Sequence, residues 1–233
     1  ISENAWRHGG AVTDGSTSFL ELNSQVPLGD LLKGMIIQSG NDASIAIAEH
    51  VAGSESTFAA LMNQYAEKLG LKNSHFVNSH GLFDPEHYMS AHDIAELSRA
   101  LIRDFPEEYA HYSLKDYTWN AHTQRNRNIL LWRDPSVDGI KTGHLSQAGY
   151  CLAASAKRGD TRLIAVVMNT AGEKVRADEA HALLNCGFRF FATHKVYEAM
   201  APVSDVTLWH GEAAKVRLGV AQPVLVTLPR GSY

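Results

Sequence analysis

Apolar residues recur at Leu28, Leu31, Leu32, Met35 and Ile36, and again at Ala43, Ile45, Ile47, Ala48 and Val51. That spacing brings an apolar side chain to one face every three or four positions, so residues 27–51 read as two amphipathic helices. Between them lies Gln38-Ser39-Gly40-Asn41-Asp42, small and polar, which suits a turn and can supply an N-cap to the second helix. Phe58, Leu61, Met62, Tyr65 and Leu69 mark a third helix over residues 56–69, with Gly70 placed as its C-cap. After a loop rich in Asn, Ser, His and Gly, Ser90 and Asp93 open a fourth run through Ile94, Leu97, Ala100 and Leu101, which stops near Asp104 ahead of Pro106.

The period then changes. Residues 115–120, 138–142, 149–156 and 162–169 read as strands, the last carrying the continuous apolar run Leu163-Ile164-Ala165-Val166-Val167-Met168 of a buried strand. A long helix is predicted over 174–191. Residues 206–209, 214–218 and 224–228 are short alternating or apolar strands separated by Gly and Pro, too few to bury a core of their own. Helices inserted among strands predict an α+β fold with a mostly antiparallel sheet and a helical cluster. Residues 1–194 are expected to form the main domain and 195–233 the beginning of a C-terminal β-rich one.

Composition narrows the functions. With 45% hydrophobic residues and 21 basic against 25 acidic side chains, interspersed to a net charge of -4, the chain has no electrostatic footprint for nucleic acid or an anionic membrane surface. No run of about 18 apolar residues is present, and residues 1–10 lack a basic-then-apolar leader, so the reading is a cytosolic chain or a mature, processed one. Cys151 and Cys186 form no CxxC or zinc spacing and are expected to be buried free thiols. The 12 histidines are scattered; His75, His80 and His87 crowd one stretch without an HExxH pair, so no metal and no organic cofactor is expected.

Two short motifs carry the chemistry. Ser39-Gly40-Asn41 sits in the turn between two helices, and Lys141-Thr142-Gly143 follows Val137-Asp138-Gly139-Ile140 on a strand. Either triplet alone is common; their order and placement match two of the three signature motifs of β-lactamases and penicillin-binding proteins. With Ile37 to Ala43, Gly70-Leu71-Lys72-Asn73, His80-Gly81-Leu82, Asn126-Arg127-Asn128, Val137 through His144 and Gly187-Phe188-Arg189-Phe190-Phe191, nearly the whole chain resembles the low-molecular-mass penicillin-binding proteins that act as D-alanyl-D-alanine carboxypeptidases.

The resemblance implies a β-lactamase/transpeptidase-like fold and a serine hydrolase that removes the terminal D-alanine from peptidoglycan pentapeptide stems through an acyl-enzyme. β-Lactam antibiotics would be its covalent inhibitors. It implies that Ser39 relays a proton to the leaving D-alanine and that Asn41 holds the substrate's peptide group. Lys141 would bring positive charge to the terminal carboxylate, and the Thr142 hydroxyl would hydrogen-bond it. Gly143 would leave room for an extended substrate along the strand edge, and the His144 backbone N–H would complete an oxyanion hole. Arg127 and Arg176 are placed at the site as carboxylate partners. Periplasmic residence, and an inner-membrane contact through a C-terminal anchor, are implied in the same way.

One motif is not in the sequence. The family pattern begins with Ser-x-x-Lys, and no serine here is followed three residues later by lysine. The expectation is that the nucleophile segment precedes Ile1. Plainer roles stand beside the functional ones: a helix cap and turn for Ser39 and Asn41, solvated charge for Arg127 and Arg176, a structural hydrogen bond for His80, and core packing for the phenylalanines of 186–191. Two rival functions remain. A class A-like β-lactamase would want aspartate at Gly40 and a Glu-x-x-Leu-Asn loop, which the sequence lacks, and a non-catalytic peptidoglycan-binding relative would keep the groove alone.

Overall fold

A computed structural model describes residues 1–10 and 15–232 and divides them into two compact units. The first comprises Ile1–Ala156 with Ile164–Leu184, and the second Lys157–Leu163 with Asn185–Tyr233.

In the first unit the expected helices are present with shifted ends. Helix α1 (Glu3–Gly9) starts at Ser2, whose hydroxyl accepts the Ala5 N–H. Helix α2 (Leu28–Lys33) runs into a π-helical turn over Gly34–Gln38, and α3 (Asn41–Ala52) follows. Period reading cannot see that wider turn, because it moves the apolar face by only one position. Nor is α3 amphipathic as expected: Asn41 through Ala48 are all buried, since α1 packs against it on one side and α4 (Glu55–Leu69) on another. A helix apolar all round belongs in a core, and burying Ile45 alone is worth about 2 kcal/mol. Gly70 ends α4 in the left-handed conformation, at φ 73°.

The side-chain cap expected for α3 is absent; its N-cap is Gly40, and the polar residues of the turn do other work. The fully buried Asp42 carboxylate accepts hydrogen bonds from the backbone N–H groups of Ser18, Leu20 and Ala43 and from the Thr17 hydroxyl. It thereby pins the 17–20 segment to the start of the helix.

Strands β1 (Ser74–His75) and β2 (Tyr88–Met89) pair antiparallel and bracket the histidine-rich loop. Ser90 caps α5 (Ala91–Asp104), and the buried Asp93 reaches back to the Asn73 N–H and the Ser74 hydroxyl. The short α6 (Pro106–Tyr109) leads to a hairpin, β3 (Asp116–Trp119) with β4 (His122–Arg125), of which only the first strand was expected. The four-residue α7 (Leu130–Arg133) precedes the principal sheet, whose order is β5 (Val137–Leu145), β6 (Gly149–Arg158), β7 (Thr161–Thr170). β5 and β6 are antiparallel, with Lys141 opposite Ala153 and His144 opposite Tyr150. Helix α8 (Glu173–Phe190) follows.

The second unit contains β8 (Phe191–Tyr197), β9 (Pro202–Thr207), β10 (Lys215–Gly219) and β11 (Val224–Pro229), paired antiparallel as β8 with β11 and β9 with β10. β8 lies where the sequence read as helix end and loop. At Gly187 a Cβ would lie 2.6 Å from Leu163 Cδ1, so a larger residue there would have to turn the end of that leucine side chain aside. Of the phenylalanines expected in the core only Phe188 is buried; Phe190 and Phe191 are 55% and 41% exposed, two and three positions further round the chain. The thiols also depart from expectation: both cysteines are free, but Cys151 is half-buried and Cys186 exposed.

Candidate active site

A cleft of about 830 Å³ in the first unit gathers Ser39, Asn41, Arg127, Lys141, Thr142, Gly143, His144 and Arg176, every site residue singled out in the sequence. Ser39 follows the π-helical turn with φ 61° and ψ 34°, a left-handed conformation that a serine adopts at some cost. Gly40 beside it cannot be larger, as a Cβ would meet Ser18 Oγ at 2.0 Å and Asp42 Oδ1 at 2.7 Å. The turn is therefore held from behind by the Asp42 network and aims the Ser39 hydroxyl at β5.

Lys141 answers from the strand. Its Nζ donates to Ser39 Oγ at 2.8 Å and to the Thr142 carbonyl at 3.1 Å. Withdrawal from water, with smaller contributions from the nearby Arg127 and Arg176 charges, pulls the Lys141 ammonium down to about 8. At neutral pH it keeps its charge, but only narrowly. Thr142 and Gly143 line the cleft on the same strand. A Cβ at Gly143 would meet nothing closer than Cys151 Cβ at 3.8 Å, so protein packing does not demand glycine there.

The remaining cations are placed by different means. The exposed Arg127 donates from Nη1 to Ser16 Oγ at 2.8 Å, and its neighbours hold the loop: Asn126 donates to the Leu114 carbonyl and Asn128 to the Gly139 carbonyl. Arg176 is buried, at 2% exposure, which rules out the solvated-charge reading for it. Its Nη1 donates to the Gly143 carbonyl at 3.1 Å and its guanidinium lies over the Tyr150 ring, which in turn stacks on His144 at 3.9 Å. Nη2 has no hydrogen-bond partner among the described residues. Burial lowers the Arg176 pKa, with Glu173 opposing.

The opposite rim is His80-Gly81-Leu82. His80 Nδ1 accepts the Leu82 N–H at 3.2 Å and Nε2 lies 3.4 Å from Glu55 Oε1, the structural role expected of it. On the other face of β5 is an apolar groove of about 400 Å³, lined among others by Met35, Leu97, Ile140, Leu152 and Val166. Ser16, Tyr150 and Glu173 were missed by sequence reading, for they belong to no motif and reach the cleft only through folding, and Asp42 was read as a cap and not as the buried acceptor behind the turn. Among the described residues no group of three or more His, Cys, Asp or Glu is placed to hold a metal ion, and no helix is long and apolar enough to cross a membrane.

The arrangement is a cationic groove beside a hydroxyl held by an ammonium, along a strand with an open glycine. Such a groove can hold an extended peptide by its terminal carboxylate and pass a proton through Ser39. Comparison with known proteins gives the same direction. Residues 1–172 match the family described as D-alanyl-D-alanine carboxypeptidase, and residues 191–233 match the C-terminal domain of penicillin-binding protein 5. The chain is 46% identical to the D-alanyl-D-alanine carboxypeptidases DacA of Haemophilus influenzae and DacC of Escherichia coli, over 99% of its own length and 59% and 58% of theirs. It thus spans somewhat more than half the length of these relatives. The crystal structure of penicillin binding protein 5 from Haemophilus influenzae superposes with a TM-score of 0.89 at 46% identity, covering 99% of this chain and 67% of that one. Motif, cleft and likeness along nearly its whole length agree: the chain belongs to the D-alanyl-D-alanine carboxypeptidase family.

Proposed function

We propose that the protein is a serine-type D-Ala-D-Ala carboxypeptidase that removes the terminal D-alanine from peptidoglycan pentapeptide stems and is acylated by β-lactams. The observation that carries this reading is the 2.8 Å hydrogen bond from Lys141 Nζ to Ser39 Oγ at a cleft rich in cations. In this reading a serine outside the 233 residues attacks the carbonyl between the two D-alanines, and its ester is later hydrolysed by water. Ser39 carries the proton to the leaving amine, because a hydroxyl both donates and accepts. Asn41 holds the substrate's peptide group, while the Lys141 ammonium, the Thr142 hydroxyl and the Arg127 and Arg176 guanidinium groups receive its carboxylate. The His144 N–H supplies half of the oxyanion hole. No metal or organic cofactor enters this chemistry.

The same reading puts residues 1–194 in the catalytic domain and 195–233 in a β-rich domain, with the protein in the periplasm and held at the inner membrane by a C-terminal anchor. Intact-protein mass spectrometry of the native-length protein after incubation with a penicillin tests it. A gain of one drug mass is expected, and a long-lived adduct separates a carboxypeptidase from a β-lactamase, which would shed it quickly. A folded protein with no adduct would instead be a non-catalytic peptidoglycan-binding relative.

A further inference from the structure

The cleft contains one acidic lining residue among the described ones, Glu173, against the cations Arg127, Lys141 and Arg176. Glu173 is the first residue of α8 and stands one turn before Arg176 on the same face. Its Oε1 lies 3.5 Å from Arg176 Nη2, too far for the 2.7–2.9 Å of a charge-assisted hydrogen bond. The two side chains are unlike in exposure: Arg176 is 3% accessible and Glu173 63%. A buried guanidinium thus lines the cleft with one nitrogen unbonded among the described residues, balanced by an exposed carboxylate that approaches from the solvent side. The Gly143 carbonyl and the Tyr150 ring hold Arg176 in place, and Nη2 is left without a hydrogen-bond partner among the described residues.

We propose that Glu173 is a specificity-determining counter-ion, which balances Arg176 in the free enzyme and is displaced by the terminal carboxylate of the substrate. This rests on reading Arg176 as a carboxylate partner. A ligand carboxylate that makes the closer, hydrogen-bonded contact must outcompete Glu173, whereas a ligand ending in a neutral amide leaves the Glu173–Arg176 pair undisturbed. Glu173 therefore lowers the affinity for every carboxylate-terminated ligand and so narrows, without abolishing, the preference for carboxylate over amide. Because Arg176 is withheld from water, the pair is screened less than a surface pair would be.

The test compares KM for a peptide ending in D-Ala-D-Ala with KM for the same peptide carrying a C-terminal amide, on native-length wild type and on Glu173→Gln. Glu173→Ala serves as a second variant, and thermal midpoints show that all three fold. The expected result is a KM about threefold to tenfold lower for the acid in both variants, with the amide unchanged. Discrimination intact in wild type but unmoved by either variant would overturn the role of Glu173 and leave the carboxylate reading standing. Equal shifts for acid and amide would likewise reduce Glu173 to a helix-start residue. Wild type that treats acid and amide alike would remove the carboxylate reading itself, and this proposal with it.

Discussion

Along β5 the cleft is lined by Lys141 and Arg176, cations that the fold withholds from water, whereas the loop between β1 and β2 carries His80 and His87, whose burial favours the neutral ring. Lys141 stays charged at neutral pH because burial and the neighbouring Arg127 and Arg176 charges lower it only to about 8, and its ammonium donates to Ser39 and to the Thr142 carbonyl. On the loop the histidines act as acceptors. His80 Nδ1 takes the Leu82 N–H and His87 Nδ1 the Val77 N–H, and each bond requires an unprotonated ring nitrogen. One rim is built to attract an anion at any pH below that of its lysine; the other is built to keep its shape only while its histidines stay uncharged. Chemistry and shape are thus assigned to different rims of one cleft.

The comparison is most severely tested from behind the strand-facing turn. Asp42→Ala would leave three backbone N–H groups and the Thr17 hydroxyl without their acceptor in a fully buried place, so a loss of about 3–5 kcal/mol in urea unfolding is expected. A loss below about 1 kcal/mol would show that the turn is held by something else. Next in size is Lys141→Ala, which should slow penicillin acylation of native-length protein about a hundredfold to a thousandfold, while leaving the unfolding midpoint nearly in place. An unchanged acylation rate removes Lys141 from the site.

pH separates the rims. Because Lys141 titrates near 8, KM for a carboxylate-terminated substrate should rise roughly tenfold per pH unit once that value is well exceeded, and stay flat below it. On the loop the sign is reversed. Burial, the largest cause for both, lowers the pKa of His80 and of His87 from 6.5; Glu55 opposes it at His80, and at His87 the neighbours His80 and His75 add to it while Asp84 opposes. Folded-state values below the unfolded one mean that the open loop takes up protons first, so the closed form loses stability as pH falls below about 6.5. Amide exchange at Val77 and Leu82, corrected for its intrinsic pH dependence, should then quicken by roughly threefold to tenfold at pH 5, while α3 amides do not change. Equal behaviour of loop and helix would dissolve the distinction.

Much of this was legible beforehand, and the reasons differ by element. α4 and α5 announced themselves because each carries a cap residue and an apolar stripe, closed by Gly70 in one case and opened by Ser90 in the other, although the Ser54 cap of α4 was not read. The two motifs located Ser39 and Lys141, since the chemistry depends on residue type at fixed short spacing. What the chain could not announce was set by contacts distant in sequence. α3 reads as amphipathic, yet α1 and α4 cover its other faces. Asp42 reads as a cap, yet its acceptor role was defined by Ser18 and Leu20, more than twenty positions earlier. Tyr150 and Glu173 gained their places from strand register and helix phase, and neither leaves a local signature.

β5 separates the polar cleft from the apolar groove, and Lys141, Thr142 and Gly143 border both. The wall is a single strand thick. Interiors packed to crystal density pass displacement on instead of absorbing it, so adding bulk at Leu152 or Ala153 in the groove would push the strand and shift the ammonium relative to Ser39. Under the proposed acylation by β-lactams, purely hydrocarbon changes in the groove would then alter sensitivity to an antibiotic that meets only the polar side of the strand.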